Sequence, residues 1–145
     1  MGFRYVATHQ DDATTARRLH AGLPLAAECA GTIVGTITLC APDTQSDCAW
    51  YRQPAVFIFG QYAVSPPFQC LGIGSRLMGY VEDQARAHGA LELALDTSED
   101  ATHLIRWYQM RGYRFTDTVS WDDTNYRSVI LSKTLAGRAG VPLIS

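Results

Sequence analysis

The feature that most restricts the fold is a turn rich in proline and glycine, which lies between an apolar run and an amphipathic segment. Residues 55–64, AVFIFGQYAV, predict a central strand buried on both faces. The turn, SPPFQCLGIGSR at residues 65–76, follows directly. Apolar residues then recur every four positions: Ile73, Leu77, Val81 and Ala85. This spacing predicts a helix ended by Gly89. One physical reason to clear side chains from the start of a helix is that its backbone N–H groups face an anion.

The segments before the central strand predict a short helix, a hairpin and a loop. Residues 11–20 have the caps and spacing of a short helix. LPLAAECA and TIVGTITLC predict two strands at about residues 24–30 and 33–40, joined by a glycine-containing turn. The polar, turn-rich sequence APDTQSDCAWYRQP at residues 41–54 predicts a long loop.

The segments after the first amphipathic helix predict a strand, a helix and a hairpin. LELALD is a short apolar strand, and residues 97–100 supply caps and first-turn acids for a helix that Gly112 ends. Residues 113–119 and 126–135 predict a hairpin around the polar turn WDDTN. The order helix, β, β, β, helix, β, helix, β, β predicts an α/β fold with a mixed sheet, in a single domain over residues 1–145.

The composition and net charge limit the classes of partner that this chain is expected to bind. A chain of 145 residues with 47% hydrophobic residues can build one core, and a formal charge of −2 provides no basic field for nucleic acid or an anionic membrane. The absence of a long apolar run or a leader-like amino end predicts a cytoplasmic protein. The spacing of the four cysteines favours neither a zinc site nor a disulfide framework: Cys29, Cys40, Cys48 and Cys70. We therefore expect a small-molecule partner and no metal.

The glycine turn is neither a dinucleotide-binding GxGxxG motif nor a phosphate-binding loop ending in GKS or GKT. Gln69-x-x-Gly72-x-Gly74, preceded by Phe68, instead resembles the acyl-CoA-binding motif of the GCN5-related N-acetyltransferase (GNAT) family, Arg/Gln-x-x-Gly-x-Gly/Ala. The resemblance implies a GNAT-like acyl-CoA N-acyltransferase fold, with a mostly antiparallel central sheet flanked by helices. The amino-terminal region here looks shorter than in the family.

The same resemblance implies acetyl-CoA as cosubstrate. Glycines at 72 and 74 remove Cβ atoms where pyrophosphate oxygens would approach, and the N–H groups of the first helical turn, with the helix dipole, would stabilise the charge. The family also implies that the end of the central strand pairs with the pantetheine amides, with Gly60 assisting a splay from the neighbouring strand. The residues expected to bind the cofactor are Tyr62, Ala63, Val64, Gln69, Cys70, Leu71, Gly72, Ile73, Gly74, Ser75 and Arg76.

A second motif of the family falls in residues 101–113. Tyr108, Gly112 and Tyr113 match its pattern, whereas Ala101 stands where the family has asparagine. By this resemblance Tyr108 is the general acid that protonates the departing CoA thiolate. A phenol of pKa about 10 stays protonated at neutral pH and can donate to a thiolate whose conjugate acid has a pKa of about 8.5. A tyrosine packed against the sheet for structural reasons is the other interpretation.

The general base and the acceptor are less defined. The central strand carries no carboxylate, so Asp96, Glu99, His103 or a chain of waters stay as candidates for the base. The acceptor is expected to be a small amine or peptide, and the short amino end suggests that a second subunit in a homodimer completes its pocket. Five aromatic residues could line that pocket, beside Asp122 and Asp123 in what is otherwise a simple hairpin turn: Trp50, Tyr51, Trp107, Trp121 and Tyr126.

These observations favour an acetyl-CoA-dependent N-acetyltransferase that acts on a primary amine by direct attack in a ternary complex. The alternative is a non-catalytic acyl-CoA-binding module that senses or regulates, which the missing strand carboxylate and Ala101 favour. Transfer to oxygen or of another acyl group would use the same cofactor site and stays open.

Overall fold

The computed structural model describes residues 3–7, 22–69 and 71–135, and for residues 3–7 only the backbone is considered. The helix predicted at residues 11–20 lies outside the described residues, as does Cys70. The described chain divides into two compact units, which are presented separately.

The first unit is formed by described residues of Met1–Ala41 and Phe59–His88. It contains four neighbouring strands, the last of which is shared with the second unit: β1 (Phe3–Ala7), β2 (Leu23–Cys29), β3 (Thr32–Cys40) and β4 (Val56–Val64). One long helix, α1 (Ile73–Ala87), follows the turn. β1 pairs with β2, and β2 with β3, in antiparallel fashion.

The β2–β3 hairpin confirms the strands predicted at about residues 24–30 and 33–40. Its turn residues Ala30 and Gly31 have φ values of 52° and 82°, the left-handed conformation that suits a two-residue hairpin turn. On one face of the hairpin Leu25 and Ile37 stand opposite each other, and both are fully buried. A bulge between Ala27 and Glu28 shifts the register near the turn.

Helix α1 confirms the amphipathic pattern, because the four apolar residues that repeat every four positions are at most 1% exposed. It packs on the first unit's sheet at Gly35. A Cβ built on Gly35 would lie 3.4 Å from Leu77 Cδ2 and 3.6 Å from Ile73 Cγ2, so the glycine allows the helix to approach the strand closely. Gly89, with φ of 93°, follows the helix as predicted.

Strand β1 is a correction to the predicted element order, which begins with a helix. Phe3–Ala7 pairs with β2 over five residue pairs, from Phe3 opposite Cys29 to Ala7 opposite Leu25. The amino end therefore contributes an edge strand. The physical reason for the miss is that FRYVA has only five residues, too few for a clear alternating pattern, so its pairing with β2 decides its conformation.

The second unit is formed by described residues of Pro42–Ile58 and Gly89–Ser145. Its strands, in hydrogen-bonded order, are the first part of β4, β5 (Glu92–Ser98), β7 (Ser128–Thr134) and β6 (Arg114–Val119). β4 and β5 run parallel through three residue pairs, from Val56–Glu92 to Ile58–Ala94, and the other pairs are antiparallel. The sheet is thus mixed and mostly antiparallel, as predicted. A short helix, α2 (Thr102–Gln109), lies between β5 and β6.

The predicted helix caps at residues 97–100 are wrong. Thr97 and Ser98 belong to β5, which stays paired with β7 as far as Ser98 opposite Ser128. The cap position of α2 is Ala101, which makes no side-chain capping bond, and the first turn contains no acidic residue. Local capping propensity was overridden because antiparallel pairing with β7 extends the strand.

The long loop at residues 41–55 contains one turn of 3-10 helix, Trp50–Arg52. A buried cluster of Cys48, Tyr51, Val56, Ala94 and Ile130 joins this loop to the sheet of the second unit. The indole N–H of Trp50 donates to Ser132 Oγ over 3.0 Å, and Ser132 Oγ donates to Glu92 Oε1 over 2.7 Å. The loop is therefore fixed by apolar packing and by a partly buried chain of hydrogen bonds.

Candidate functional site

In the first unit, the chain between β4 and α1 is closed by its own hydrogen bonds. Ser65 N donates to Val34 O over 2.8 Å, which ties the end of β4 to β3. A 3-10 turn at Pro66–Phe68 follows, and the side chain of Gln69 donates to Val64 O over 3.0 Å. The motif glutamine therefore bridges both ends of the turn, which positions the backbone that leads into α1.

Gly72 opens α1 in a conformation that favours glycine. Its φ of 81° lies in the left-handed region, and a Cβ built there would meet no described atom within 4 Å. The first intrahelical bond of α1 runs from Arg76 N to Gly72 O over 3.1 Å. The amides of Ile73, Gly74 and Ser75 precede that bond and lie at the positive end of the helix dipole, where an anion is stabilised.

Gly74 has a different neighbour from the one that the motif predicts. A Cβ at this position would collide with the hydroxyl of Tyr62, the β4 residue expected to bind the cofactor. The ring of Tyr62 stands edge-on to Phe59, with centroids 6.4 Å apart and planes at 89°. The missing Cβ at 74 thus makes room for a protein side chain, a contact that the spacing of the motif does not reveal.

The remaining residues of the predicted cofactor site divide by exposure. Ser75 and Arg76 are exposed on the first turn of α1, whereas the side chain of Ile73 is 1% exposed and is part of the core, so only its backbone can face a ligand. Leu71 is 53% exposed and Ala63 is exposed on β4. The structure therefore brings the described members of the predicted site together on one strand, one turn and one helix end.

The expected irregularity in β4 falls one residue after Gly60. Gln61 has φ of 52°, a left-handed conformation that costs a non-glycine residue about 1–2 kcal/mol. Its side-chain oxygen accepts a 3.1 Å hydrogen bond from Thr38 Oγ1 on β3. The close approach considered for Gly60 is not observed, because a Cβ built there meets no described atom within 4 Å.

In the second unit, Tyr108 is the one buried residue of α2. Its ring contacts Trp107 and Tyr113 edge-on, with centroids 5.2 Å and 6.0 Å away. Desolvation by burial raises the pKa of the Tyr108 phenol above its ordinary value of 10.0. The phenol therefore holds its proton at neutral pH, as a general acid must. Gly112, with φ of 95°, ends the segment as the second motif predicts.

The three side chains considered as bases have different surroundings. Asp96 is exposed near the end of β5, where Tyr51 Oη donates to Oδ1 over 2.7 Å and Trp121 Nε1 donates to Oδ2 over 3.2 Å. Glu99 pairs with Arg127, with 2.8 Å between Oε2 and Nε. His103 is exposed on α2. Of these, the carboxylate of Asp96 is held by uncharged donors.

The aromatic residues considered for the acceptor pocket fall into separate groups. Tyr51 and Trp121 stack with centroids 6.1 Å apart, and Trp50 packs on the same buried cluster. Trp107 contacts Tyr108 on one side and lies under the guanidinium of Arg111, 3.4 Å from the ring centroid. Tyr126 is 45% exposed. Asp122 and Asp123 are exposed in the predicted hairpin turn, which Thr124 N closes by donating to Trp121 O over 3.2 Å.

Within the described ranges, no three His, Cys, Asp or Glu side chains come together to form a metal-binding group. Among the helices that the structure describes, none has the length and hydropathy needed to span a bilayer.

Comparison with known proteins identifies similar sequences and folds. The family model described as the acetyltransferase (GNAT) family matches residues 3–113. Comparison with curated proteins gave no significant match.

Three solved structures illustrate the likeness of the fold. A GNAT family acetyltransferase from Elizabethkingia anophelis with acetyl-CoA bound has a TM-score of 0.69 and 18% identity, over 92% of this chain and 98% of that chain. A Bacillus subtilis acetyltransferase in complex with CoA has a TM-score of 0.67 and 16% identity, over 92% of this chain and 99% of that chain. A ribosomal-protein-alanine N-acetyltransferase from Brucella melitensis has a TM-score of 0.62 and 18% identity, over 83% of this chain and 74% of that chain.

Proposed function

Because this chain belongs to the acetyltransferase (GNAT) family, we propose that it is an acetyl-CoA-dependent N-acetyltransferase whose acceptor is a primary amine. The observation that carries the proposal is the opening of α1 at Gly72. The left-handed glycine has open space around it, and the helix amides that precede the first intrahelical bond offer donors to a diphosphate. The likeness to structures that contain acetyl-CoA or CoA supports the choice of anion.

In this proposal the pyrophosphate of CoA binds the amides of residues 72–75, and the exposed side chains of Ser75 and Arg76 add contacts. An arginine in the first turn of a helix opposes the dipole, so its position is better explained when an anion binds there. Residues 61–64 of β4 provide backbone groups for the pantetheine amides in the manner of an added strand.

The transfer proceeds by attack of the neutral amine nitrogen on the thioester carbonyl carbon, which forms a C–N bond and a tetrahedral intermediate. The C–S bond then breaks, and the phenol of Tyr108 donates its proton to the CoA sulfur. The proton that the nitrogen loses restores the phenol through solvent, and the ammonium's own earlier proton is released, so the products are an amide, CoA–SH and one proton. The raised pKa of Tyr108 supports this role because the donor is protonated over the whole working range of pH.

Other parts of the interpretation stay predictions. Asp96, Glu99, His103 and ordered water are the candidates for removing the first proton. Glu99 is less suited to this role because Arg127 already binds it. A homodimer and a cytoplasmic location are expected from the sequence, and small-angle scattering in solution would test the first.

A catalytically inactive acyl-CoA sensor is the second candidate. Two observations favour it: β4 carries no carboxylate, and Ala101 caps α2 without the side-chain hydrogen bond that an asparagine could make. A sensor would bind acetyl-CoA tightly and release no CoA when amines are added.

Two measurements on the whole chain test these proposals. Calorimetric titration with CoA measures binding, and detection of the free thiol measures amine-dependent CoA release from acetyl-CoA. We expect Arg76→Gln to weaken CoA binding by about three- to tenfold, the size of a lost charge-assisted hydrogen bond. The control is Arg86→Gln at the other end of α1, where the arginine pairs with Asp83, and CoA affinity should be unchanged. Heat from CoA binding without any amine-dependent thiol would support the sensor; no heat at all would exclude both.

A further inference from the structure

Asp96 lies where two separate loops converge on the sheet of the second unit. Tyr51 comes from the loop at residues 41–55 and Trp121 from the hairpin turn after β6, and each donates one hydrogen bond to a different oxygen of the Asp96 carboxylate. These donors are 45 and 25 residues away in sequence. The carboxylate itself is exposed. An exposed acid does not need such partners for solvation, so the arrangement orients it.

The two aromatic donors are themselves held in place. The ring of Tyr51 is 5% exposed and stacks on that of Trp121, with centroids 6.1 Å apart and planes at 27°. Tyr51 belongs to the buried cluster and Trp121 packs against that cluster. The backbone of Tyr51 is fixed as well, because Asp43 N donates to Tyr51 O over 2.9 Å. The carboxylate therefore has a rigid aromatic support from sequence-distant parts of the chain.

Asp96 differs from the neighbouring acids in the charge of its hydrogen-bond partners. Glu92 and Glu99 are each paired with an arginine, Arg114 and Arg127, at 3.0 Å and 2.8 Å. In the described part of the chain, the partners of Asp96 are the uncharged phenol and indole. An ionised carboxylate has about four acceptor positions on its two oxygens, and these two donors use one on each. The remaining positions and the negative charge are left for a ligand.

A protonated primary amine fits this arrangement. An ammonium group carries three donors, two of which can bond to the two acceptor positions left on the carboxylate, and its positive charge compensates the negative charge of Asp96. A neutral arylamine or an alcohol would meet the same carboxylate without compensating its charge. The chemistry of the cluster thus selects for a cationic alkylamine.

We propose that Asp96, oriented by Tyr51 Oη and Trp121 Nε1, is the anchor of the acceptor site and binds the ammonium group of an alkylamine substrate. The proposal rests on the proposed function and adds the substrate class and the residues that select it. Asp96 binds the substrate, whereas Tyr51 and Trp121 are positioning residues that act through the carboxylate. The bound ammonium passes its proton to solvent before the nitrogen attacks the thioester.

The experiment uses the whole chain saturated with CoA, which carries no acetyl group to transfer, and titrates it with hexylamine by calorimetry. We expect Asp96→Asn to weaken hexylamine binding by at least tenfold and Tyr51→Phe by about threefold, because the phenylalanine keeps the packing but not the O–H. The matched control is Asp117→Asn, an exposed acid on β6 whose Oδ1 accepts from Thr118 N and for which an amide oxygen can substitute. Hexan-1-ol, a neutral ligand of similar size, should bind the wild-type protein weakly and lose nothing in Asp96→Asn.

Steady-state kinetics with acetyl-CoA give a second readout. We expect Asp96→Asn to raise the KM for hexylamine by at least tenfold and to leave the KM for acetyl-CoA within twofold. Trp121→Phe should raise the amine KM less, by about threefold. A loss of folded protein would lower the apparent kcat and leave both KM values unchanged, and thermal melting of each variant identifies that case.

Different results would contradict the Asp96 anchor and the acetyltransferase activity. If the wild type releases CoA with hexylamine and Asp96→Asn has the same amine affinity and KM, the anchor is wrong and the acetyltransferase stands. If hexylamine binds in an Asp96-dependent way but no amine causes CoA release, the anchor stands and the catalytic proposal is wrong. Equal affinity of the wild type for hexylamine and hexan-1-ol would also overturn the anchor.

Discussion

The hydroxyl of Tyr62 occupies the space that a Cβ on Gly74 would require. The second glycine of the motif is therefore constrained from within the protein, whatever ligand lies outside. Because the two residues lie on β4 and on the first turn of α1, their contact couples the strand to the helix end that is proposed to bind CoA.

Gly74→Ala tests this contact. The added methyl group must displace the Tyr62 ring, and overpacking of this kind costs about 1–3 kcal/mol, or a fall in Tm of about 2–4 °C for each kcal/mol in a chain of this size. Thermal melting measures the loss, and calorimetry with CoA measures the accompanying loss of affinity. The double variant Gly74→Ala with Tyr62→Phe removes the colliding oxygen and should recover part of the stability.

Gly79→Ala in the same helix is the matched control for this substitution. A Cβ at position 79 meets no described atom within 4 Å, and replacing a glycine within a helix by alanine stabilises it by about 0.5–1 kcal/mol. A rise in Tm for Gly79→Ala together with a fall for Gly74→Ala is the expected pattern. Equal shifts for the two variants would show that the Tyr62 contact has no energetic effect.

Gln61 gives a second prediction, based on backbone strain. Its φ of 52° is readily adopted by glycine, so Gln61→Gly should be neutral or stabilising, by up to about 1 kcal/mol, despite the loss of an exposed hydrogen bond from Thr38. Gln61→Val places a β-branched residue in the left-handed region and should destabilise by about 1–3 kcal/mol. Urea unfolding of the two variants checks the order, and a valine variant as stable as the glycine variant would contradict it.

Tyr108→Phe tests the general acid. The ring contacts with Trp107 and Tyr113 survive the change, so acetyl-CoA affinity and Tm should stay close to those of the wild type, whereas kcat should fall by about 10²–10⁴-fold. An unchanged kcat would remove Tyr108 from the mechanism.

The pH dependence of kcat follows from the sign of the Tyr108 pKa shift. Burial raises the pKa of the phenol above 10.0, and the acid must be protonated to act. Activity that depends on Tyr108 is therefore fully present below pH 10 and is lost only as the pH rises through the raised pKa. A pH profile of kcat that declines between pH 7 and 9 in the wild type, but not in a variant lacking the phenol, would contradict this assignment.

Ser132→Ala tests the hydrogen-bond chain that joins the loop at residues 41–55 to the sheet. Ser132 is fully buried and its hydroxyl joins the indole N–H of Trp50 to the carboxylate of Glu92, so alanine leaves a partly buried donor without this acceptor. We expect a loss of about 1–3 kcal/mol in the free energy of unfolding. Ser120→Ala, at an exposed position, serves as control and should change stability by no more than about 0.5 kcal/mol.

Where a local pattern and the tertiary contacts agree, the sequence alone predicts the element. The four-residue spacing in α1 and the turn between β2 and β3 need no information from distant residues, and both are confirmed. β1 and the start of α2 are the exceptions, because pairing with β2 and with β7, respectively, decides their conformation. The propensities of the residues in a segment give no information about either of these pairings.

The candidate site shows the same division. Gly72 could be inferred from a motif because its left-handed φ of 81° disfavours any residue with a side chain. The role of Tyr62 beside Gly74 could not, since it depends on how far a strand side chain reaches over the next helix. The contacts of Asp96 with Tyr51 and Trp121 could not be predicted from the sequence either. The three residues come from a strand, a loop and a turn, and no fixed spacing relates them.

Two neighbouring residues in the loop at 41–55 point their polar atoms to different targets, Trp50 to Ser132 and Tyr51 to Asp96. A chimera that exchanges this loop with that of a related protein must therefore keep both residues at their present positions in the loop. An insertion or deletion of one residue before the pair would direct the wrong ring at the carboxylate, so chimeras should be designed by substitution within the loop at constant length.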